Sequence, residues 1–285
     1  MVRQPIADLT SVGADRAWLE SGADVRRRYV NARGGSRSTG TLDLENRSGV
    51  AVQYLENSAI ALRAAHYVLV QEPPQVKFLL FPMVHIGSSD YYAQVRAGLA
   101  GCDSILFEGV RTLSGQMLTL AYRLVARRKR LDLVVQNVAL PLKGLAPRLI
   151  CADVSSGEFT ENWADIPWPL RLALLLGAPI YGAYQYLTAT RESIGRHLST
   201  EDVPNREDTE LRDHSPEFHN ALLDRRDAKL IAAVEAAVAE RTAPAVIGVI
   251  YGAAHMRSVT DVLMSKYHFR VAHAEWLTVF EYAGA

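Results

Sequence analysis

Residues 246–263 read VIGVIYGAAHMRSVTDVL. The first half is an apolar run of strand length. It breaks at Gly252, places His255 three residues on, and gives way to a helical pattern. A continuous apolar run of this kind marks a strand buried on both faces, as in a parallel sheet. The small residues Gly252, Ala253 and Ala254 suit a tight turn. The stretch therefore predicts a histidine at the carboxyl end of a central strand.

Working outward, VKFLLFPMVHI at 76–86 repeats the scheme and carries His85 at its end. GSSDYYAQVRAGLAG follows. Ser88 or Ser89 caps a helix, Asp90 lies in its first turn, Tyr91, Val95 and Leu99 share one face, and Gly101 ends it. CDSILFEGV at 102–110 is the next strand, with Glu108 at its end. Residues 76–110 thus read as one βαβ unit, which implies parallel pairing. RLICADV at 148–154 is a further short strand, and FRVAHAEWLTVFEY supplies a C-terminal one. SAIALRAAHYVLVQ at 58–71 reads as a helix running into an apolar segment. The fold class is α/β: a central, mostly parallel sheet with flanking helices, and a helical insertion over about 113–240 between two similar strand–turn–His halves.

The bulk numbers fit one large α/β domain. The chain has 285 residues, 49 % of them hydrophobic and 22 % charged, which is enough to bury a core. Acids and bases balance at 31 each, so no global field argues for nucleic acid. Two cysteines, Cys102 and Cys151, make no disulfide framework and read as small buried hydrophobes opening strands. The N-terminus lacks an apolar signal region, which predicts a cytoplasmic protein. Residues 1–48 are polar and rich in Gly, Ser and Arg, and are expected to be disordered or loosely attached; the α/β domain is expected over 49–285.

Within the insertion, helical segments over 113–130 end in Arg127, Arg128, Lys129 and Arg130. From Leu172 to Thr190 there is no charge. That is close to the ~20 residues a bilayer span requires. Gly177, Pro179 and Gly182 interrupt it, which predicts broken, buried or interface helices over 168–190; membrane association through this segment is the alternative. Over 213–241 lies the clearest amphipathic pattern, with Ser215 as N-cap and Pro216 at the first helical position. At 100° per residue Arg226 and Asp227 both fall on its apolar face. Buried charge is costly unless paired. Either the two form a structural network, or Arg226 reaches the strand ends to hold Glu108 or a developing oxyanion.

His85, Glu108 and His255 thus sit at the carboxyl ends of three apolar strands, the edge where parallel α/β sheets build sites. Two imidazoles and a carboxylate are ligand types for zinc, manganese, iron or cobalt. An ion held by them would lower the pKa of a bound water and polarise a carbonyl. Alternatively, Glu108 takes the proton from the water. No short HxxxH or HExxH spacing supports the set.

Together, HIGSSDYYAQV with GCDSILFEGV, LLDRRD and GVIYGAAH resemble the TraB/PrgY/GumN family, related to the Tiki metalloproteases. The family carries two Gly-x-x-His motifs, a glutamate after the strand that follows the first, and an arginine in an Arg-Asp or Arg-Asn pair. The second motif is intact as Gly252-Ala253-Ala254-His255; the glutamate is Glu108; the arginine is Arg226, beside Asp227. The first motif departs from the pattern, reading Pro82-Met83-Val84-His85, which predicts a reshaped turn and weakened metal binding. ICADVSSGEF is also similar to a family segment, with Asp153 beside the ligands or on the substrate side. The resemblance covers roughly 76–275. It implies metal-dependent peptide hydrolysis supported by manganese or cobalt, or a part in restraining peptide pheromone signalling.

The leading expectation is a metal-dependent hydrolase of peptide bonds or another small carbonyl substrate. His85 and His255 ligate the ion, Glu108 is ligand or base, and Arg226 positions charge. The alternatives are a non-catalytic peptide- or haem-binding protein, favoured by Pro82, and a metal-free, His-centred esterase-like hydrolase. A homo-oligomer is compatible with either.

Overall fold

The computed structural model describes residues 53–71, 76–109, 120–200, 223–240 and 244–282. The expectations for residues 1–48 and for a cap at Ser215 and Pro216 lie outside these. A short strand β1 (Leu55–Asn57) leads into the long β2 (Ala61–Gln71). The helix expected at the start of that stretch is absent. Its alanines favour helix, but β2 pairs with a neighbour on both edges, and that pairing overrides local propensity.

Next come β3 (Val76–Met83), the short β4 (Ile86–Gly87), helix α1 (Ser89–Gly98) and β5 (Ser104–Phe107). The Ser88 hydroxyl caps α1, accepting the Tyr91 N–H at 3.2 Å, and Tyr91, Tyr92 and Val95 are buried. Then follow α2 (Leu120–Val125), β6 (Val134–Val135), α3 (Gln136–Ala139), β7 (Arg148–Cys151), α4 (Ser156–Asp165), α5 (Trp168–Thr188) and α6 (Arg191–Thr200). The chain closes with α7 (Arg225–Ala239), β8 (Ala245–Gly252), a 3-10 turn over Ala253–His255, α8 (Met256–Asp261) and β9 (Arg270–Glu281).

The strands form a mixed sheet in the order β1-β2-β3-β8-β5-β7, with β9 on the free edge of β2. β3, β8, β5 and β7 run parallel, whereas β1, β2 and β9 join by antiparallel pairs. The α/β class is as the sequence predicts. One pairing differs: β3 and β5 are not neighbours, because β8 lies between them. β8 is the more apolar strand, and Ile247, Val249, Ile250 and Tyr251 are almost fully buried, so it takes the centre. Gly248 lets β8 sit close under α1, since a Cβ there would lie 2.6 Å from Leu99 Cδ2.

Pro82 does not break β3. Pairing with β2 ends at Leu80, and pairing with β8 continues through Met83 opposite Gly252, so the missing N–H leaves the sheet intact. Cys102 is buried as expected, but Cys151 is exposed and closes β7 instead of opening it. The segment expected as broken helices is one continuous helix, α5, with Pro179 inside it. Packing along α2 holds the turns on either side of the lost hydrogen bond. No helix among the described residues is long and apolar enough to cross a membrane.

Candidate active site

The register of the parallel strands gathers the polar residues at one edge. Phe107 pairs with Ile250 of β8 and with Cys151 of β7, so Glu108 emerges beside Tyr251 and one residue short of Asp153. Met83 pairs with Gly252, which brings His85 to the same edge as His255. Each of these side chains therefore starts where an apolar strand leaves the core. The first turn of α7 comes down over them with Arg226 and Asp227.

Arg226 is the hub of one half. Its Nε donates to Asp153 Oδ1 at 2.9 Å, and its Nη2 donates to Asp153 Oδ2 at 2.9 Å and to Glu108 Oε1. The guanidinium also stands 5.6 Å from the Tyr251 ring centroid, a cation–π distance. Asp153 is fully enclosed and takes two further backbone N–H groups, from Gly109 at 3.1 Å and Val154 at 2.8 Å. Its charge is thus met on every side, as burial demands. Glu108 Oε2 accepts the Gly252 N–H at 2.9 Å. The Tyr251 hydroxyl is buried near the same carboxylates.

These charges fix the protonation of Glu108. Burial alone would raise its pKa, but Arg226, then His85 and His255, outweigh burial and bring it down to about 2. Burial likewise opposes the charge on Arg226, and the Glu108 and Asp153 carboxylates overcome it, so the guanidinium is held above its already high range. Tyr251 is pushed upward by burial and by both carboxylates, against the pull of Arg226.

The other half is a relay of three side chains. His255 is buried, and its Nδ1 lies 2.5 Å from Asp227 Oδ1. The Ser258 hydroxyl donates to Asp227 Oδ2 at 2.5 Å. An ionised carboxylate only accepts, so Nδ1 carries the proton of this contact and a neutral ring keeps its lone pair on Nε2. The ring also stands edge-on to Tyr251, with centroids 5.0 Å apart. Gly252 separates the two halves: a Cβ there would lie 3.4 Å from Glu108 Oε2 and 3.5 Å from His255 Cδ2.

Of the sequence-predicted residues, Glu108, Asp153, Arg226 and Gly252 form one network and Asp227 and His255 a second, side by side. His85 belongs to the same edge and acts on the charge of Glu108; its ring packs against Tyr122 at 5.5 Å, and its carbonyl accepts the Gln136 N–H. The contact of Arg226 with Glu108 is the functional alternative raised from the helix pattern, and Asp227 serves His255 instead of Arg226. Sequence reasoning missed Tyr251 and Ser258. Ser258 stands one helical turn beyond His255, which is a usable signal; Tyr251 gave none, since an aromatic residue in an apolar strand reads as core.

An ion at His85, Glu108 and His255 would share a carboxylate whose two oxygens already accept from Arg226 and from the Gly252 N–H. As the side chains stand, no group of three His, Cys, Asp or Glu among the described residues converges as metal ligands do. No protein-family model, curated protein or solved structure matches this chain.

Proposed function

We propose that the chain is a hydrolase that adds water to a carbonyl, of a peptide bond or a small ester, with His255 as general base. The observation that carries this reading is the Asp227–His255 contact, which fixes one ring nitrogen and leaves Nε2 for the proton of an attacking water. Glu108 is a poor base by comparison, because a carboxylate held near a pKa of about 2 has little affinity for a proton at neutral pH. Its role here is electrostatic: ionised beside His255, it stabilises the imidazolium formed when the ring accepts a proton. Arg226 is a positioning residue that holds Glu108 charged and in place. The resemblance to the TraB/PrgY/GumN family supports hydrolysis as the reaction class and a peptide as the substrate class.

A second reading keeps the divalent ion, because a carboxylate on the far nitrogen also orients metal-binding imidazoles. One experiment separates the two. Purified protein is assayed on a peptide library and a panel of small esters, with and without chelator, beside metal analysis of the same sample. Turnover that survives chelation and is lost in His255→Ala supports the base reading. Turnover that chelation abolishes assigns the ion to the site. Absence of turnover on every substrate, with retained peptide binding, overturns hydrolysis in favour of a binding protein.

A further inference from the structure

Helix α5 covers 21 residues, about 31 Å at ~1.5 Å per residue. One side of it, with Leu174, Leu175, Ala178, Gly182 and Gln185, faces the protein and packs along α2. The opposite side carries Leu172, Leu176, Ile180, Tyr184 and Leu187 at helical spacing, and they are 47, 58, 71, 60 and 74 % exposed. Trp168 begins the helix and is 68 % exposed. No charged residue interrupts this face between Leu172 and Thr190. Scattered exposed apolar residues need no explanation, but a continuous apolar stripe of this length on a helix marks an interaction surface.

The C-terminal end of the helix adds charge. Arg128 donates to the carbonyl of Ala189, the residue that ends α5, at 2.8 Å. Arg191 ties down the same turn through the Leu131 carbonyl at 2.7 Å. The basic run is therefore fastened to the end of the apolar stripe. Arg127, Lys129 and Arg130 are exposed and pair with no described acid. The acid of that turn, Asp132, is 94 % exposed and lies 3.8 Å from Arg191.

We propose that the outer face of α5 and the basic turn at its end dock the protein on an anionic lipid bilayer, with the helix lying in the plane of the surface. An apolar stripe with aromatic residues at its ends suits the boundary between headgroups and acyl chains. Exposed cations with no described acidic partner suit acidic headgroups. The helix is not apolar enough to cross, so it lies on the membrane. This inference is independent of the hydrolase reading.

Co-sedimentation of the full chain with vesicles tests it. Vesicles of phosphatidylcholine alone are compared with vesicles containing about 30 % phosphatidylserine. The protein is expected to pellet with the acidic vesicles, and less so as salt rises from about 0.1 M to about 0.5 M. Leu176→Ser/Ile180→Ser and, separately, Arg127→Glu/Lys129→Glu/Arg130→Glu should each weaken binding by roughly tenfold or more. All five positions are exposed, and an unchanged thermal melt confirms that each variant folds. Failure to pellet with acidic vesicles, or equal binding by wild type and both variants, overturns the proposal. So does a dimer seen by light scattering that Leu176→Ser/Ile180→Ser converts to monomer while vesicle binding is absent, since the face would then belong to a second copy.

Discussion

Arg226 and Asp227 are adjacent in the chain and serve opposite halves of the site. Arg226 clamps Glu108 and Asp153, and Asp227 holds His255 through Nδ1 at 2.5 Å. Successive residues on a helix diverge by about 100°. The first turn of α7, placed across the carboxyl edge of the sheet, can therefore address β5 and β7 with one side chain and the turn after β8 with the next. Moving α7 as a rigid body would disturb both halves together.

Asp227→Asn should lower kcat by roughly 10²-fold or more on whichever substrate wild type turns over, with little change in KM. The amide has the size of the carboxylate but can offer an N–H to Nδ1, which moves the ring proton to Nε2 and removes the base. Ser258→Ala, which only loosens Asp227, should cost about tenfold or less. Steady-state kinetics across pH check both. Wild-type kcat in Asp227→Asn would remove His255 from the role of base.

Arg226 is 13 % exposed and answers two carboxylates, so its removal strands both. Arg226→Met should destabilise the fold by about 3–5 kcal/mol, the cost of leaving an enclosed charge unpaired. Arg226→Lys keeps the charge but loses the planar fork that reaches Asp153 and Glu108 together, and should cost about 1–3 kcal/mol. Urea unfolding measures each. If Arg226→Met unfolds at the wild-type midpoint, the clamp holds nothing together.

Much of this site was legible because polar residues ending apolar runs are a local signal. His85, Glu108 and His255 each stand where a strand of buried residues stops, and Arg226 and Asp227 betray themselves as charges on an apolar helical face. The pairing of Arg226 with Asp153 was not legible, since it spans 73 positions and depends on the register of β5 with β7. The insertion of β8 between β3 and β5 is non-local in the same way. β2 and α5 failed for a different reason. Local propensity pointed to helix at Ala61–Ala65 and to a break at Gly177 and Pro179, and tertiary contacts overrode it in both places.

The last expectation concerns acid stability, where His66 and Glu108 act in separate windows. His66 is stacked on Phe81 at 4.1 Å, and burial lowers its pKa from the usual 6.5 against the opposing pull of Glu275. With the folded value depressed, the unfolded chain binds this proton first, so stability falls as pH drops below about 6.5 and levels off below the folded value. Glu108 has its pKa lowered from 4.5 to about 2. Its carboxylate contributes stability that is fully present above about 5 and is lost as pH falls from there through about 2, an effect on the order of 3 kcal/mol. Glu158, fully exposed on α4, and Glu275, half-exposed on β9, are also held low, but solvent screens both. Urea unfolding of wild type between about pH 7 and pH 2.5 should therefore show two declines. Glu108→Gln should be less stable than wild type at neutral pH and should flatten the lower decline, leaving the upper one in place. A Glu108→Gln protein that loses stability below about pH 4.5 as steeply as wild type would mean that this carboxylate is not held ionised by Arg226.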